Sequence, residues 1–135
     1  MDPERVSRRS PTRARSLPTL FLRLEGLALL GLSVFLYAWL DQSWLLFALL
    51  VLAPDVSMLG YAAGPGVGAI SYNIAHTYLI PASLIVAGVA GGAETLLAVA
   101  LIWFAHIGMD RLLGYGLKMD TGFRDTHLGR IGRDR

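Results

Sequence analysis

The basic residues of this chain lie only near its two ends, and this distribution limits what the chain can fold into. All 12 Lys and Arg residues fall within 5–23 or 111–135. From Gly26 to Ala93 the only charged side chains are Asp41 and Asp55. A water-soluble domain keeps its charged side chains on its surface, so a stretch this long with two charges is predicted to face lipid. The hydrophobic content of 54% and the mean hydropathy of +0.52 agree with a membrane protein of one domain.

The length of the apolar region predicts four membrane crossings. A bilayer core about 30 Å thick needs about 20 helical residues per crossing, and the apolar region runs over 17–117. Turn-forming sequences divide it at "DQSW", at "GYAAGPGVG" and at "GVAGGAE". The predicted fold class is therefore all-α, an integral membrane four-helix bundle. Its predicted spans are 18–40, 43–63, 67–89 and 94–117.

The charge distribution also predicts the orientation of the chain. Three crossings would place the two basic ends on opposite sides of the membrane, whereas the positive-inside tendency favours both ends beside the cytoplasm. Four crossings satisfy that tendency, so both termini are predicted to be cytoplasmic in a multi-pass protein of the cell (plasma or inner) membrane. A cleaved signal peptide is the weaker interpretation of the first span, because no small-x-small cleavage site follows 36–40.

The two ends are predicted to lie outside the bilayer. Residues 1–16 are rich in Arg, Ser and Pro, which is typical of a disordered basic arm, and 118–135 form a basic tail. Both are expected to contact anionic lipid headgroups. No groove-reading or base-stacking element accompanies the arm, so no nucleic-acid partner is expected. The chain has no Cys, which excludes disulfides and thiolate metal sites, and its sequence leaves oligomerisation open.

Polar residues within the spans are predicted to share one layer of the membrane. Counted at 1.5 Å per helical residue from the cytoplasmic ends, six of them lie about 9–17 Å deep. An ionisable group at a helix centre costs about 2.5–3.5 kcal/mol on insertion scales, so these side chains are expected to face a common interior cavity rather than lipid. The six residues are Glu25, Asp55, Asn73, His76, His106 and Asp110.

Two His and two Asp in one layer form a plausible ligand set for Zn²⁺, Mn²⁺ or Fe²⁺. Asp55, His76, His106 and Asp110 are the candidate metal ligands and also the candidate catalytic residues. Glu25 is the candidate general base or outer partner of the ligands. Asn73 and His76 are three positions apart and share a helix face, which suggests that Asn73 orients His76. The sequence contains no HExxH pattern, and it does not identify the cofactor beyond a divalent metal.

Each candidate also has a simpler structural interpretation, which the sequence leaves open. Glu25 is close enough to the membrane interface to pair with Arg23 or Arg111. Asp55 follows Pro54, so it is placed to cap a helix or form an ion pair there. His76 and His106 are each compatible with a neutral, hydrogen-bonded packing role. The coincidence of depth favours the shared site.

The blocks "LRLEG", "APDVSMLGY", "YNIAHTY", "AHIGMDRLLGYGLK" and "FRDTHLGRIG" together make the chain similar to domain-of-unknown-function family 4260, over about 18–132. The resemblance implies a compact four-helix membrane bundle and no particular activity. It also implies that the polar positions above, together with His127, belong to the family's motifs. The tail containing His127 is expected to fold over the cytoplasmic mouth of the bundle, where Asp125 and His127 would complete the site, or else to bind headgroups as a basic tail.

Two functions follow from the sequence. The first is a metal-dependent intramembrane enzyme that acts on a lipid-like or isoprenoid-like substrate by acid/base chemistry or hydrolysis. The alternative is a non-enzymatic membrane subunit or a small proton- or ion-handling protein, in which the polar cluster is structural or a relay.

Overall fold

The computed structural model describes residues 17–131, apart from the side chains of 129 and 130. The predicted basic arm at 1–16 and the last four residues of the tail lie outside the described residues. From Leu17 the chain is helical, with short turns, as far as Leu113, and the described residues end in a small two-stranded hairpin. The elements are α1 (Leu17–Trp39), α2 (Trp44–Leu50), a 3₁₀ helix (Ala53–Ala63), α3 (Pro65–Ala75), α4 (Leu79–Gly91), α5 (Glu94–Leu113), β1 (Asp125–Thr126) and β2 (Gly129–Arg130).

Within the described residues, four helical segments are long and apolar enough to cross a membrane, as the sequence predicts. They are Leu17–Trp39, Trp44–Ala63, Pro65–Gly91 and Glu94–Leu113. Large apolar side chains are exposed on their outer faces, including Leu45, Leu59 and Leu79. Such a surface is unfavourable in water and matches the lipid-facing surface expected of a membrane protein.

Helix α5 is the centre of the fold, and α1, α2 and α4 all pack against it. It approaches α1 closely at Gly26 and Gly108. A Cβ atom added to Gly108 would lie 2.7 Å from the Leu30 nitrogen and 2.8 Å from the Gly26 oxygen. The two backbones are therefore in direct contact, which glycine permits because it has no side chain.

The second helical segment changes geometry at Pro54. Proline has no N–H to donate to the preceding turn, and α2 accordingly ends at Leu50. The Asp55 N–H then bonds to the Leu52 carbonyl, three residues back, as the chain enters its 3₁₀ helix. This tighter pattern frees the Val51 carbonyl, which a regular α-helix would have paired with the Asp55 N–H.

The third helical segment is interrupted between α3 and α4, shortly before Pro81. The break leaves the carbonyls of Ala75 and His76 without partners in their own helix. Helix α5 supplies the donors: the Trp103 indole N–H bonds to the Ala75 oxygen at 2.6 Å, and the Arg111 guanidinium bonds to the His76 oxygen at 3.0 Å. A helix broken within a membrane would need such partners, because lipid offers none.

Helix α5, which forms the fourth membrane-length segment, ends at Leu113, earlier than the predicted end near 117. Gly114 adopts a left-handed conformation with φ of 88°, and this terminates the helix. Residues 115–131 then turn back toward α3 as a hairpin, in which β1 and β2 pair antiparallel. The hairpin is fastened to α3 by Asn73, whose amide donates to the Lys118 carbonyl at 2.8 Å and accepts from the Lys118 N–H at 2.6 Å.

A candidate metal centre

Four side chains from three helical segments converge at one point inside the helical region. Asp55 comes from the 3₁₀ helix, His76 from the end of α3, and His106 and Asp110 from one face of α5. The Nε2 atoms of the two histidines are 3.1 Å apart. Asp55 Oδ1 lies 3.2 Å from His76 Nε2 and 3.3 Å from His106 Nε2. Asp110 Oδ2 lies 3.5 Å and 3.6 Å from the same two atoms. The buried His/Asp cluster expected from the sequence is therefore present.

The hydrogen bonds of the two rings determine which nitrogen faces the centre. His76 Nδ1 lies 2.8 Å from the Tyr72 carbonyl, and His106 Nδ1 lies 2.6 Å from the Val51 carbonyl freed by the Pro54 break. A carbonyl only accepts, so both Nδ1 atoms are assigned as donors from this network. In a neutral imidazole the other nitrogen then carries a lone pair. Both Nε2 lone pairs consequently point toward the same centre.

These facing lone pairs require a proton or a metal ion between or beside them. The two nitrogens are only 3.1 Å apart, and the nearest side-chain oxygens belong to carboxylates. Two imidazole lone pairs and two ionised carboxylates present acceptors only, so they repel one another unless a proton or a metal ion is bound.

The nitrogen–nitrogen and nitrogen–oxygen distances within the cluster are close to those between the ligands of a tetrahedral metal site. An ion held by four tetrahedral ligands at about 2.0–2.2 Å separates neighbouring ligand atoms by about 3.3–3.6 Å. The five nitrogen–nitrogen and nitrogen–oxygen separations given above run from 3.1 to 3.6 Å. One ligand atom from each of the four residues lies within 4.8 Å of all the others. The residues present therefore fit a small divalent ion.

Tyr72 supports the cluster from two sides. Its hydroxyl donates to Asp110 Oδ2 at 3.2 Å, and its ring stacks on the His76 imidazole with centroids 3.7 Å apart and planes 11° apart. The stack fixes the ring orientation of His76, and the hydroxyl fixes one carboxylate. Groups that orient ligands in this way commonly tune metal affinity.

The cluster is closed on its histidine side and open on its aspartate side. Both histidine side chains are 0% exposed, whereas Asp55 is 34% exposed. A cavity of about 300 Å³ reaches the two carboxylates. Its lining is Asp55, Met58, Tyr72, Asp110, Tyr115, Lys118, Phe123 and Ile131. A ligand entering this cavity would meet the carboxylates, not the imidazoles.

The other predicted site residues lie elsewhere. Glu25 is exposed on α1 and is not among the four converging residues. Arg111, one of its suggested partners, is buried and donates to the main-chain carbonyls of His76 and Tyr115. Asn73 was expected to orient His76, but both polar atoms of its side chain bond to the main chain of Lys118.

The tail approaches the cavity with different residues from those predicted. His127 is exposed, and its Nδ1 accepts a hydrogen bond from the Leu117 N–H at 2.8 Å. Asp125 accepts from the Thr121 hydroxyl at 2.8 Å. Phe123 and Ile131 line the cavity instead. The reason is the hairpin, which directs the polar side chains of Asp125 and His127 to partners within the tail.

Sequence reasoning missed Tyr72 and Lys118. Tyr72 lies four residues before His76, so the helical period alone places the two side chains on one face. Lys118 carried no comparable signal, because it is one of several basic residues near the end of the chain. Its burial depends on the bonds from Asn73 to its main chain, which join residues 45 positions apart.

The fold and the site define a class: an all-α protein with four membrane-length helical segments and a buried His₂Asp₂ cluster beside a cavity. The sequence model of the domain-of-unknown-function family DUF4260 matches residues 19–131. The chain belongs to this family, in agreement with the resemblance found in its sequence blocks. Neither the curated proteins nor the solved structures contain a significant match to the chain.

Proposed function

We propose that Asp55, His76, His106 and Asp110 bind one divalent metal ion, and that the protein is a metal-dependent intramembrane enzyme. The observation that carries the proposal is the pair of Nε2 atoms 3.1 Å apart, each left with its lone pair by an Nδ1 bond to a carbonyl. A proton shared by two nitrogens would explain that pair alone. A carboxylate oxygen from each Asp also lies 3.2–3.6 Å from both nitrogens, close to the separation expected between neighbouring ligands of one ion, and this favours the metal.

Zn²⁺ is the ion that the distances favour, because it takes tetrahedral nitrogen and oxygen ligands; Mn²⁺ and Fe²⁺ accept the same donor types. Four protein ligands would fill a tetrahedral site, so a reaction would need either a fifth ligand or the release of one carboxylate. Asp55 is suited to that release, since it is the most exposed of the four residues and lines the cavity.

The reaction class that fits best is hydrolysis. A bound divalent ion supplies Lewis acidity and lowers the pKa of a bound water. Water adds across the bond that breaks, so no other reactant is needed. The apolar exterior and the cavity beside the carboxylates favour a lipid-like substrate that enters from the membrane. In the proposed orientation both termini and the cavity face the cytoplasm, consistent with the basic residues near the two ends.

Metal analysis of the full chain purified in detergent tests the proposal. The three histidines provide a matched set, because His127 is exposed and its side chain bonds within the tail. We expect one equivalent of metal in the wild type and in His127→Ala, and almost none in His76→Ala or His106→Ala. Circular dichroism checks that each variant remains helical. A folded wild type that takes up no Zn²⁺, Mn²⁺ or Fe²⁺ on dialysis would exclude the metal centre.

The second candidate is a proton- or ion-handling membrane subunit. The same Nε2 pair favours it, because 3.1 Å is a hydrogen-bonding distance and one proton between the rings would satisfy both. Asp55 would then connect that proton to the cavity. Metal-free protein whose two buried imidazoles titrate together in ¹⁵N NMR spectra would favour this function over the first.

A further inference from the structure

One cation lining the cavity is almost entirely buried. The Lys118 residue is 5% exposed, and its main chain is held in place by Asn73. Its ammonium donates to the Phe123 carbonyl at 2.8 Å and lies 4.1 Å from the Phe123 ring centroid and 5.0 Å from that of Tyr72. Two aromatic faces and a carbonyl thus fix the charge at the cavity wall. A lysine with a purely headgroup-binding role would extend into solvent instead.

The ammonium retains capacity for a further partner. It carries three N–H donors, and the Phe123 carbonyl accepts one of them. Desolvation is unfavourable for a lysine, and burial lowers the pKa of Lys118 from its ordinary value of 10.5, although the carboxylates of Asp110 and Asp55 act in the opposite direction. A ligand oxygen in the cavity would satisfy the remaining donors.

The charges around the site indicate the sign of that ligand. Asp55 and Asp110 contribute two negative charges, and Lys118 and the buried Arg111 contribute two positive ones. These four formal charges sum to zero. A divalent ion then leaves an excess of two positive charges in a region of low dielectric constant, where uncompensated charge is costly. An anionic ligand restores the balance.

The rest of the cavity indicates what accompanies the anion. Met58, Phe123 and Ile131 contribute apolar side chains to its lining, and Asp55, Asp110 and Lys118 contribute charged ones. Its volume of about 300 Å³ is at the lower end of the range of about 300–1,000 Å³ found for ligand pockets. The space suits a charged headgroup with a short part of an apolar chain.

We propose that this cavity binds the oxyanion group of an amphiphile, with Lys118 as the residue that recognises the anion and the apolar wall holding the start of its chain. This substrate class rests on the proposed metal-dependent function for its chemistry, but the anion site itself is defined by Lys118 and the cavity. A phosphate and a carboxylate share the required chemistry, and both are compatible with the ammonium as a partner.

Ligand-detected NMR on the full chain in a non-ionic detergent tests this inference. The probes are butyl phosphate, butyrate and inorganic phosphate, each titrated with zinc-loaded and chelator-treated protein. We expect butyl phosphate or butyrate to bind more tightly than inorganic phosphate, because only the first two carry an apolar substituent. Lys118→Met should weaken binding about tenfold or more, as the loss of a hydrogen bond to a charged group predicts.

Arg124→Met provides the matched control, since Arg124 is an exposed cation on the same tail. It should leave binding unchanged, whereas Lys118→Arg should retain part of it. Equal binding by Lys118→Met and the wild type would overturn the inference, as would tighter binding of inorganic phosphate than of both butyl probes. Stoichiometric metal without any anion binding would also overturn the inference and leave the metal centre standing. Anion binding that depends on Lys118 in protein unable to hold metal would support the inference while removing the metal-dependent function.

Discussion

Replacement of Asn73 by Ala separates two roles that the sequence did not distinguish. Asn73 was expected to orient His76, yet its side chain makes a reciprocal pair of hydrogen bonds with the main chain of Lys118, at 2.8 and 2.6 Å. These bonds fasten the tail hairpin to α3. Asn73→Ala should therefore release the tail and leave the metal centre intact.

The magnitude follows from the two lost bonds. A typical intramolecular hydrogen bond contributes about 0.5–1.5 kcal/mol net, so their combined loss should lower the free energy of opening the tail by roughly 1–3 kcal/mol. That corresponds to an opening equilibrium roughly 5- to 150-fold larger. The amides that report the opening are those of Met119, His127 and Ile131, which bond within the tail.

Hydrogen–deuterium exchange followed by mass spectrometry measures this change. We expect exchange of residues 118–131 to accelerate by that factor, while α5 retains its protection. Ser83→Ala is the control, since its exposed hydroxyl bonds to the Leu79 carbonyl of its own helix. Unchanged exchange in the tail would refute the anchoring role. If Asn73→Ala lost metal to the extent expected for His76→Ala, Asn73 would orient His76 after all.

Three further predictions concern helix packing, metal affinity and pH. Gly108→Ala should lower the thermal stability measured by circular dichroism, by about 1–3 kcal/mol, because its Cβ would meet the α1 backbone; equal stability of Gly108→Ala and Gly31→Ala, whose added Cβ meets no atom within 4 Å, would contradict this. Tyr72→Phe removes the hydroxyl that bonds to Asp110 and should weaken Zn²⁺ binding about 10- to 100-fold in a chelator competition assay, whereas an unchanged affinity would show that the hydroxyl does not hold the carboxylate in place. Lys118 loses its charge as the pH rises through its lowered pKa. When the pH is raised, the butyl phosphate affinity of the wild type should therefore begin to fall before pH 10.5 is reached, whereas that of Lys118→Arg should persist. A pH profile shared by both proteins would contradict the assignment.

Much of the site could be predicted from the sequence because its ligands are rare in an apolar environment. The four ligands are ionisable residues within membrane-length segments: Asp55, His76, His106 and Asp110. Because exposing such groups to lipid is costly, a shared interior location is expected for them. Their helical spacing adds that His106 and Asp110 share one face. Glu25, which the same count placed in this layer, is exposed on α1 and is not among the four converging residues.

The positions of the supporting residues could not be predicted in this way. Asn73 lies three residues before His76, and this local spacing was the only basis for predicting that Asn73 orients His76. The hairpin of the tail provides a competing partner from 45 residues away, and no periodic pattern reports such a contact. Lys118 becomes a cavity residue for the same reason.

The sequence alone determined the class of the fold and the membership of the cluster. Apolar length, turn chemistry and the placement of charge are local properties of the chain, and they were enough to predict four helical segments and to select the four converging residues. The tertiary structure decided how those residues act together. Packing of α5 brings His106 to the Val51 carbonyl freed by the Pro54 break and places its Nε2 opposite that of His76. That arrangement depends on contacts between distant segments, so only the folded chain determines that the two lone pairs face one another.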